Sequence, residues 1–156
     1  FSAREFLTEE ILRRGMSVDR DSMIAVANDL RSQYGPTYVI QTLFGQALVY
    51  GGDAVVESVR AVAEVRYIKE HGGVVLGVDA DQRIRYERTT KRGSETDRVT
   101  LEQWLDQERR ETNPDDPTKQ NIFGALQESD FIVHNNGTLD ELHTQIEDVL
   151  KKITIT

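Results

Sequence analysis

Arginine supplies the chemistry this chain most visibly offers. Arg85, Arg88 and Arg92 recur at spacings of three and four, which places all three on one face of a helix opening near Asp81, a predicted N-cap. Arg98 follows, and Arg109 and Arg110 close a further helix that begins with the capping-box pattern Thr100-Leu101-Glu102-Gln103. Like charges on one helical face repel unless something compensates them, and the planar guanidinium matches phosphate oxygens in bidentate fashion. A polyphosphate would compensate the stripe. So would acids such as Glu87 and Glu95 on a solvated face, and spacing alone leaves both readings open. Arg109 and Arg110 either close over a phosphate or pair within their helix, as Asp106 does with Arg110 four residues on. Glu57, Ser58 and Arg60 end an apolar run: a carboxylate there suits magnesium, directly or through water, and Arg60 suits a second phosphate. Both side chains would serve equally as caps of a strand-to-helix turn.

Other chemistries fail on inventory. The chain has no cysteine, so disulfides, thiolate metal sites and a cysteine nucleophile are excluded, and a reducing, cytoplasmic setting is expected. His71, His134 and His143 stand on different predicted elements without an HExxH spacing, which argues against zinc, and no G-x-S-x-G elbow is present. Asp115 and Asp116, flanked by Pro114 and Pro117, have the composition of a turn. A net charge of -8 opposes general binding to nucleic acid. No run approaches the roughly 20 apolar residues that a membrane span needs, and Phe1-Ser2-Ala3-Arg4-Glu5 resembles no signal peptide.

The elements that must position these residues are legible from period and punctuation. Ser2 to Glu5 has a capping-box form, and Phe6, Leu7, Ile11 and Leu12 recur at helical spacing until Gly15. A second helix carries Met23, Ile24, Val26, Ala27 and Leu30 to Tyr34-Gly35-Pro36, and a third carries Val39, Ile40, Leu43, Phe44, Ala47 and Leu48 to Gly51-Gly52. The pattern then changes to short apolar runs, Ala54–Val59, Val74–Asp79 and Asp130–His134, expected as parallel strands. Val62, Val65 and Ile68 mark a helix between the first two runs. The last run turns through Asn135-Asn136-Gly137 into a capping box, Thr138 to Glu141, and a final helix followed by a β-prone tail, Ile153 to Thr156. Alternating strands and helices predict one α/β domain over residues 1–156: a three-layer parallel sheet with helices on both faces, and ligands beyond the strand ends near Glu57, Asp79 and Asn135. Three strands make a thin sheet, so one or two more are expected before Phe1.

In this order the residues resemble the nucleotide-kinase superfamily of P-loop proteins, the adenylate-kinase-like and dephospho-CoA-kinase-like branch often labelled AAA-family ATPase. The likeness is carried by Phe1 to Leu7, by Val55-Val56-Glu57-Ser58-Val59-Arg60, by Asp79-Ala80-Asp81 through Arg85, Arg88 and Lys91-Arg92-Gly93, and by Asp130–Val133 with Asn135 to Leu142. It implies acceptor-binding helices over 1–52, core over 53–92 and 118–156, and a lid-like segment over 93–117. It implies that Ser2, Glu5, Arg31 and Arg60 serve the acceptor and that Glu57 serves Mg2+. It also implies that Arg88, Arg92 and Arg98, with Arg60, carry the catalytic charge around the ATP phosphates. Asn136, Gly137 and Thr138 would lie near the base, with Arg109 also on the nucleotide. The implied activity is ATP-dependent phosphate transfer to a nucleoside monophosphate or dephospho-CoA, with small-molecule nucleotides as ligands and neither nucleic acid nor membrane as a partner.

The departures are specific. Thr8 stands where adenylate kinases carry arginine, the turn at Val59 lacks their proline, and the lid has no cysteine quartet. No G-x-x-x-x-G-K-[ST] occurs between Phe1 and Thr156, and family order puts that loop just before Phe1. Phosphoryl transfer needs that loop's amides and lysine, so the 156 residues alone are expected to be a poor ATPase. A non-catalytic nucleotide-binding or interaction module of the same fold is the alternative.

Overall fold

Helices build the first half of the core. In the computed structural model, which describes residues 1–93, 99–111, 116 and 119–154, α1 (Ala3–Arg13), α2 (Arg20–Tyr34), α3 (Tyr38–Tyr50) and α4 (Val62–Glu70) come before any strand. Ser2 caps α1, its Oγ accepting from the Glu5 amide at 3.2 Å. Gly15 follows the helix with φ +69°, a conformation glycine adopts without strain. Ala3, Leu7 and Ile11, four residues apart, form the buried side of α1. They meet Val26, Ala27 and Leu30 of α2, Val39, Ile40 and Leu43 of α3, and Val65 and Ile68 of α4 in one cluster that also takes in Val75 and Ala125. Burial of a side chain such as Ile11 or Ile40 contributes about 1.5–3 kcal/mol. Leu12 lies 61% exposed and belongs to the outer face.

The second half is β1 (Leu76–Asp79), α5 (Gln82–Arg92), α6 (Leu101–Arg110), α7 (Ile122–Gln127), β2 (Phe131–His134) and α8 (Leu139–Thr154). The two strands pair in parallel, Leu76 opposite Phe131 and Asp79 opposite His134. Parallel neighbours require a crossover connection, which α5, α6 and α7 provide in sequence. Helix α7 packs on β1 and on α4, and α8 packs on β2. The carboxyl ends of both strands therefore lie side by side, and the loops after them open at one edge.

The protein is α/β and mostly helical, with a two-stranded parallel sheet among the described residues. The third predicted strand, Ala54–Val59, does not form as an element. It makes one parallel bridge, Glu57 with Ser2, in which the Phe1 nitrogen donates to Val55 O at 2.7 Å and the Glu57 amide to Phe1 O at 3.0 Å. Two features limit it. α1 begins at Ala3, which takes the backbone beyond Ser2 into a helix, and Ser58 turns to φ +69°, which breaks the extended path after Glu57. The β-prone tail is also corrected where it is described, because Ile153 and Thr154 complete α8. Among the described residues no helix is long and apolar enough to cross a membrane.

Candidate functional site

A cleft of about 680 Å3 opens at the strand ends, between the first three helices on one side and α5 and α6 on the other. Its walls carry seven arginines against four acids, in a chain whose net charge is -8. The anion-attracting charge of the molecule is thus gathered where ligands bind in sheets of this kind. Each arginine is held differently, and the differences define what the cleft can do.

Arg31 of α2 is 2% exposed and pairs with Glu64 of α4, which is 0% exposed, with Nε and Nη2 at 2.9 and 2.8 Å from Oε1. The other oxygen of Glu64 accepts the amides of Arg60 and Ala61 at 2.9 and 3.1 Å, which caps α4. Such full satisfaction is what makes a buried carboxylate tolerable. Arg60 is fixed at its backbone by this bond, and its guanidinium reaches Glu111 Oε2 at 3.3 Å. Glu111, 3% exposed at the end of α6, turns its other oxygen to Arg20, the first residue of α2, at 2.6 Å.

The arginine stripe of α5 does not sit as three bare charges. Arg85 pairs with Glu108 of α6, donates to Ala80 O at 2.9 Å and lies 5.6 Å from the ring centre of Trp104. Arg88 has carbonyls for partners: it donates to Asn135 O at 2.6 Å and Gly137 O at 3.1 Å, tying α5 to the turn after β2. Arg92 lines the cleft one turn further on. From the opposite wall Arg4 of α1 contributes an exposed guanidinium that makes no ion pair with another described residue.

Glu57 accepts short hydrogen bonds from the hydroxyls of Ser2 and Ser58. Burial pushes its carboxyl up, but the two hydroxyls and the nearby Arg60 outweigh that and hold it below the ordinary carboxylate value. It is anionic at neutral pH. Asp79, at the end of β1, lines the same cleft and accepts from the Ala80 amide at 2.8 Å. No group of three or more acids or histidines converges among the described residues. Magnesium would fit here as an ion held mainly by a ligand's phosphates and by water, with Glu57 as a supporting carboxylate.

Of the residues expected from sequence, Arg31, Glu57, Arg60, Arg88 and Arg92 line the cleft together. Ser2 stands behind it, acting through Glu57. Glu5 is exposed on α1 and is not part of the lining. Asn135 lines the cleft, whereas Asn136, Gly137 and Thr138 sit behind it: Asn136 accepts from the Asp81 amide at 2.7 Å, and Thr138 accepts from the Glu141 amide at 3.2 Å to cap α8. Asp81 holds the N-cap position of α5, yet its carboxylate takes the Asn136 amide at 3.3 Å rather than capping. Arg109 turns back onto its own helix, to Leu105 O at 3.4 Å, and does not reach the lining. Arg98 and Glu95 lie outside the described residues. Arg4, Arg20, Glu111 and Gln120 join the lining without having been expected. Arg20 follows Asp19 at a helix start, and Gln120 and Glu111 border a polar stretch, so no periodic signal marks any of them.

No family model matches the chain. It is 26% identical over 162 residues to the UPF0200 protein PH1008 of Pyrococcus horikoshii, covering 97% of this chain and 82% of that protein. A UPF0200 protein of Methanosarcina mazei is 27% identical over 150 residues, covering 94% of this chain and 77% of its own length. A UPF0200/UPF0201 protein of Archaeoglobus fulgidus is 26% identical over 155 residues, and the chain spans 46% of its length. These designations name no reaction, so the chemistry has to be argued from the cleft.

Proposed function

We propose that this chain is the greater part of an ATP-dependent phosphotransferase of the nucleotide-kinase type, acting on a small phosphate-bearing acceptor in the cytoplasm, where ATP is supplied. The observation that carries the reading is the convergence of Arg60 with Arg88 and Arg92 of α5, from two separate stretches of an acidic chain, on one cleft at the strand ends. The acceptor phosphate is seated by Arg60 on the side of the first helices, and the ATP phosphates lie against Arg88 and Arg92 of α5. Catalysis then consists of alignment and of fixed positive charge that costs no reorganisation when the phosphoryl group moves. Mg2+, when bound with the nucleotide, neutralises charge on the phosphates, and Glu57 with Asp79 would support its waters. The wider three-layer sheet and the phosphate-cradling loop belong to this same reading. Residues 1–156 contain no G-x-x-x-x-G-K-[ST].

The test is acceptor-dependent release of ADP by the intact protein. Arg60→Ala is expected to lower kcat/KM about a hundredfold, roughly 3 kcal/mol of transition-state stabilisation. Unchanged turnover would remove Arg60 from the acceptor site and the kinase reading with it. Trp104, the sole tryptophan of the chain, lines the cleft and supplies a binding signal independent of turnover. Binding of MgATP without any acceptor-dependent release would favour the alternative, a nucleotide-binding module of the same fold.

A further inference from the structure

Ser58, with φ +69°, is the one residue other than glycine that has a positive φ among the described residues. The other six in that region are glycines, which adopt it freely, whereas a Cβ there crowds the following carbonyl oxygen and costs stability. The conformation is imposed from both sides. The Glu57 amide donates to Phe1 O at 3.0 Å and the Arg60 amide to Glu64 Oε2 at 2.9 Å, so Ser58 turns the chain between two fixed points. Glycine would make the same turn without strain. What serine adds is its hydroxyl, which donates to Glu57 Oε2.

That bond completes a clamp. Ser2 Oγ accepts from the Glu5 amide at 3.2 Å, and its own proton goes to Glu57 Oε1. Each carboxylate oxygen therefore takes one hydroxyl and keeps a second lone pair. Glu57 is exposed and lines the cleft, so those remaining lone pairs are open to a ligand. An exposed glutamate held by nothing would move among its rotamers, whereas this one is fixed at its amide and at both oxygens. Carboxylates that serve a metal are oriented in this way, by hydrogen bonds from groups that do not touch the ion.

We propose that Ser58 is a positioning residue, kept in a strained conformation so that its hydroxyl, with that of Ser2, holds Glu57 in one orientation for the waters of a nucleotide-bound Mg2+. The proposal rests on the reading that the cleft binds MgATP with Glu57 as a supporting carboxylate. It concerns what holds that carboxylate, and it makes no use of the acceptor.

The experiment titrates the intact protein with ATP, with and without Mg2+, by Trp104 emission, and follows urea unfolding of the same samples without ligand. The readout is the factor by which Mg2+ raises ATP affinity. Ser58→Gly and Ser58→Ala both remove the hydroxyl, and each is expected to lower that factor about tenfold, the usual scale for a group that orients a metal's carboxylate. Their stabilities should part: Ser58→Gly is expected to unfold at higher urea than Ser58→Ala, because only glycine takes φ +69° freely. An unchanged factor in both variants would overturn the clamp and leave MgATP binding standing. A factor lost in Ser58→Ala but kept in Ser58→Gly is what a residue that merely shapes the turn would give, and it overturns the proposal too. Equal urea midpoints would remove the strain and the proposal with it. Should Ser58→Ala not fold, the factor in Ser58→Gly decides alone. If the wild type does not bind ATP with or without Mg2+, the reading of the cleft falls, and the clamp falls with it.

Discussion

Glu64 shows how much one side chain carries here. Its two oxygens cap α4, fix the backbone of Arg60 and neutralise Arg31, all without contact with water. Removing it strands a buried guanidinium, so Glu64→Ala is expected to lower unfolding stability by about 3–5 kcal/mol in urea titration. Arg31→Met combined with Glu64→Leu should recover much of that, because the uncompensated charge is gone. A loss below about 1 kcal/mol for Glu64→Ala would mean that the pair is solvated. Glu10 belongs to the surface and makes a prediction of another kind. Hydrogen bonds from Arg13 and then Arg14 hold its carboxyl at about 2, down from 4.5. A carboxyl lowered by folding stabilises the native state above its unfolded value and loses that contribution as pH falls through the folded one. The melting temperature of wild type should therefore exceed that of Glu10→Gln above pH 4.5, with the difference vanishing towards pH 2. Arg60, Arg88 and Arg92 stood out in the sequence because Arg60 follows an apolar run and the other two recur at helical spacing. The Arg31 to Glu64 bond spans 33 residues, and no local pattern encodes it.

At the scale of elements, α1, α2 and α3 were legible because each has an apolar stripe and marked ends, whereas α5 buries no side chain and was legible from the spacing of its arginines. Ala54–Val59 has the composition of a strand, but composition cannot supply a partner, and one bridge to Ser2 is all the pairing it finds among the described residues. The stripe of α5 was legible as geometry and ambiguous as chemistry. In the structure Arg85 takes an acid from α6 for a partner and Arg88 the carbonyls of the turn after β2. Helix α7, only six residues long, depends on its cap: Asn121 Oδ1 accepts the Gly124 amide at 2.8 Å while the Asn121 amide holds Arg60 O. Asn121→Ala is expected to cost about 1 kcal/mol in stability. The bond to Arg60 O comes from the Asn121 backbone amide and survives the substitution, so kcat/KM for the acceptor should stay near the wild-type value. Denaturant titration beside steady-state kinetics reads both.

Across the whole molecule, charge is sorted. The surface is acidic on balance, and the cleft is cationic on balance. Such sorting favours small anions at one opening over extended polyanions. Pyrophosphate affinity, measured by Trp104 emission, should fall several-fold between about 0.05 and 0.5 M salt, as the Debye length drops from above 10 Å to a few Å. A flat response would show that the ligand does not meet the arginines.

Glu111 sets the terms on which any such anion enters. Because its carboxylate already occupies Arg60 and Arg20 together, an arriving phosphate does not fill a vacancy but replaces a tenant. Its net affinity is the difference between two anions competing for the same cations. The carboxylate stands at the end of α6 and grips Arg20 of α2 through its other oxygen, so that helix end keeps a separate tether when Arg60 changes partners.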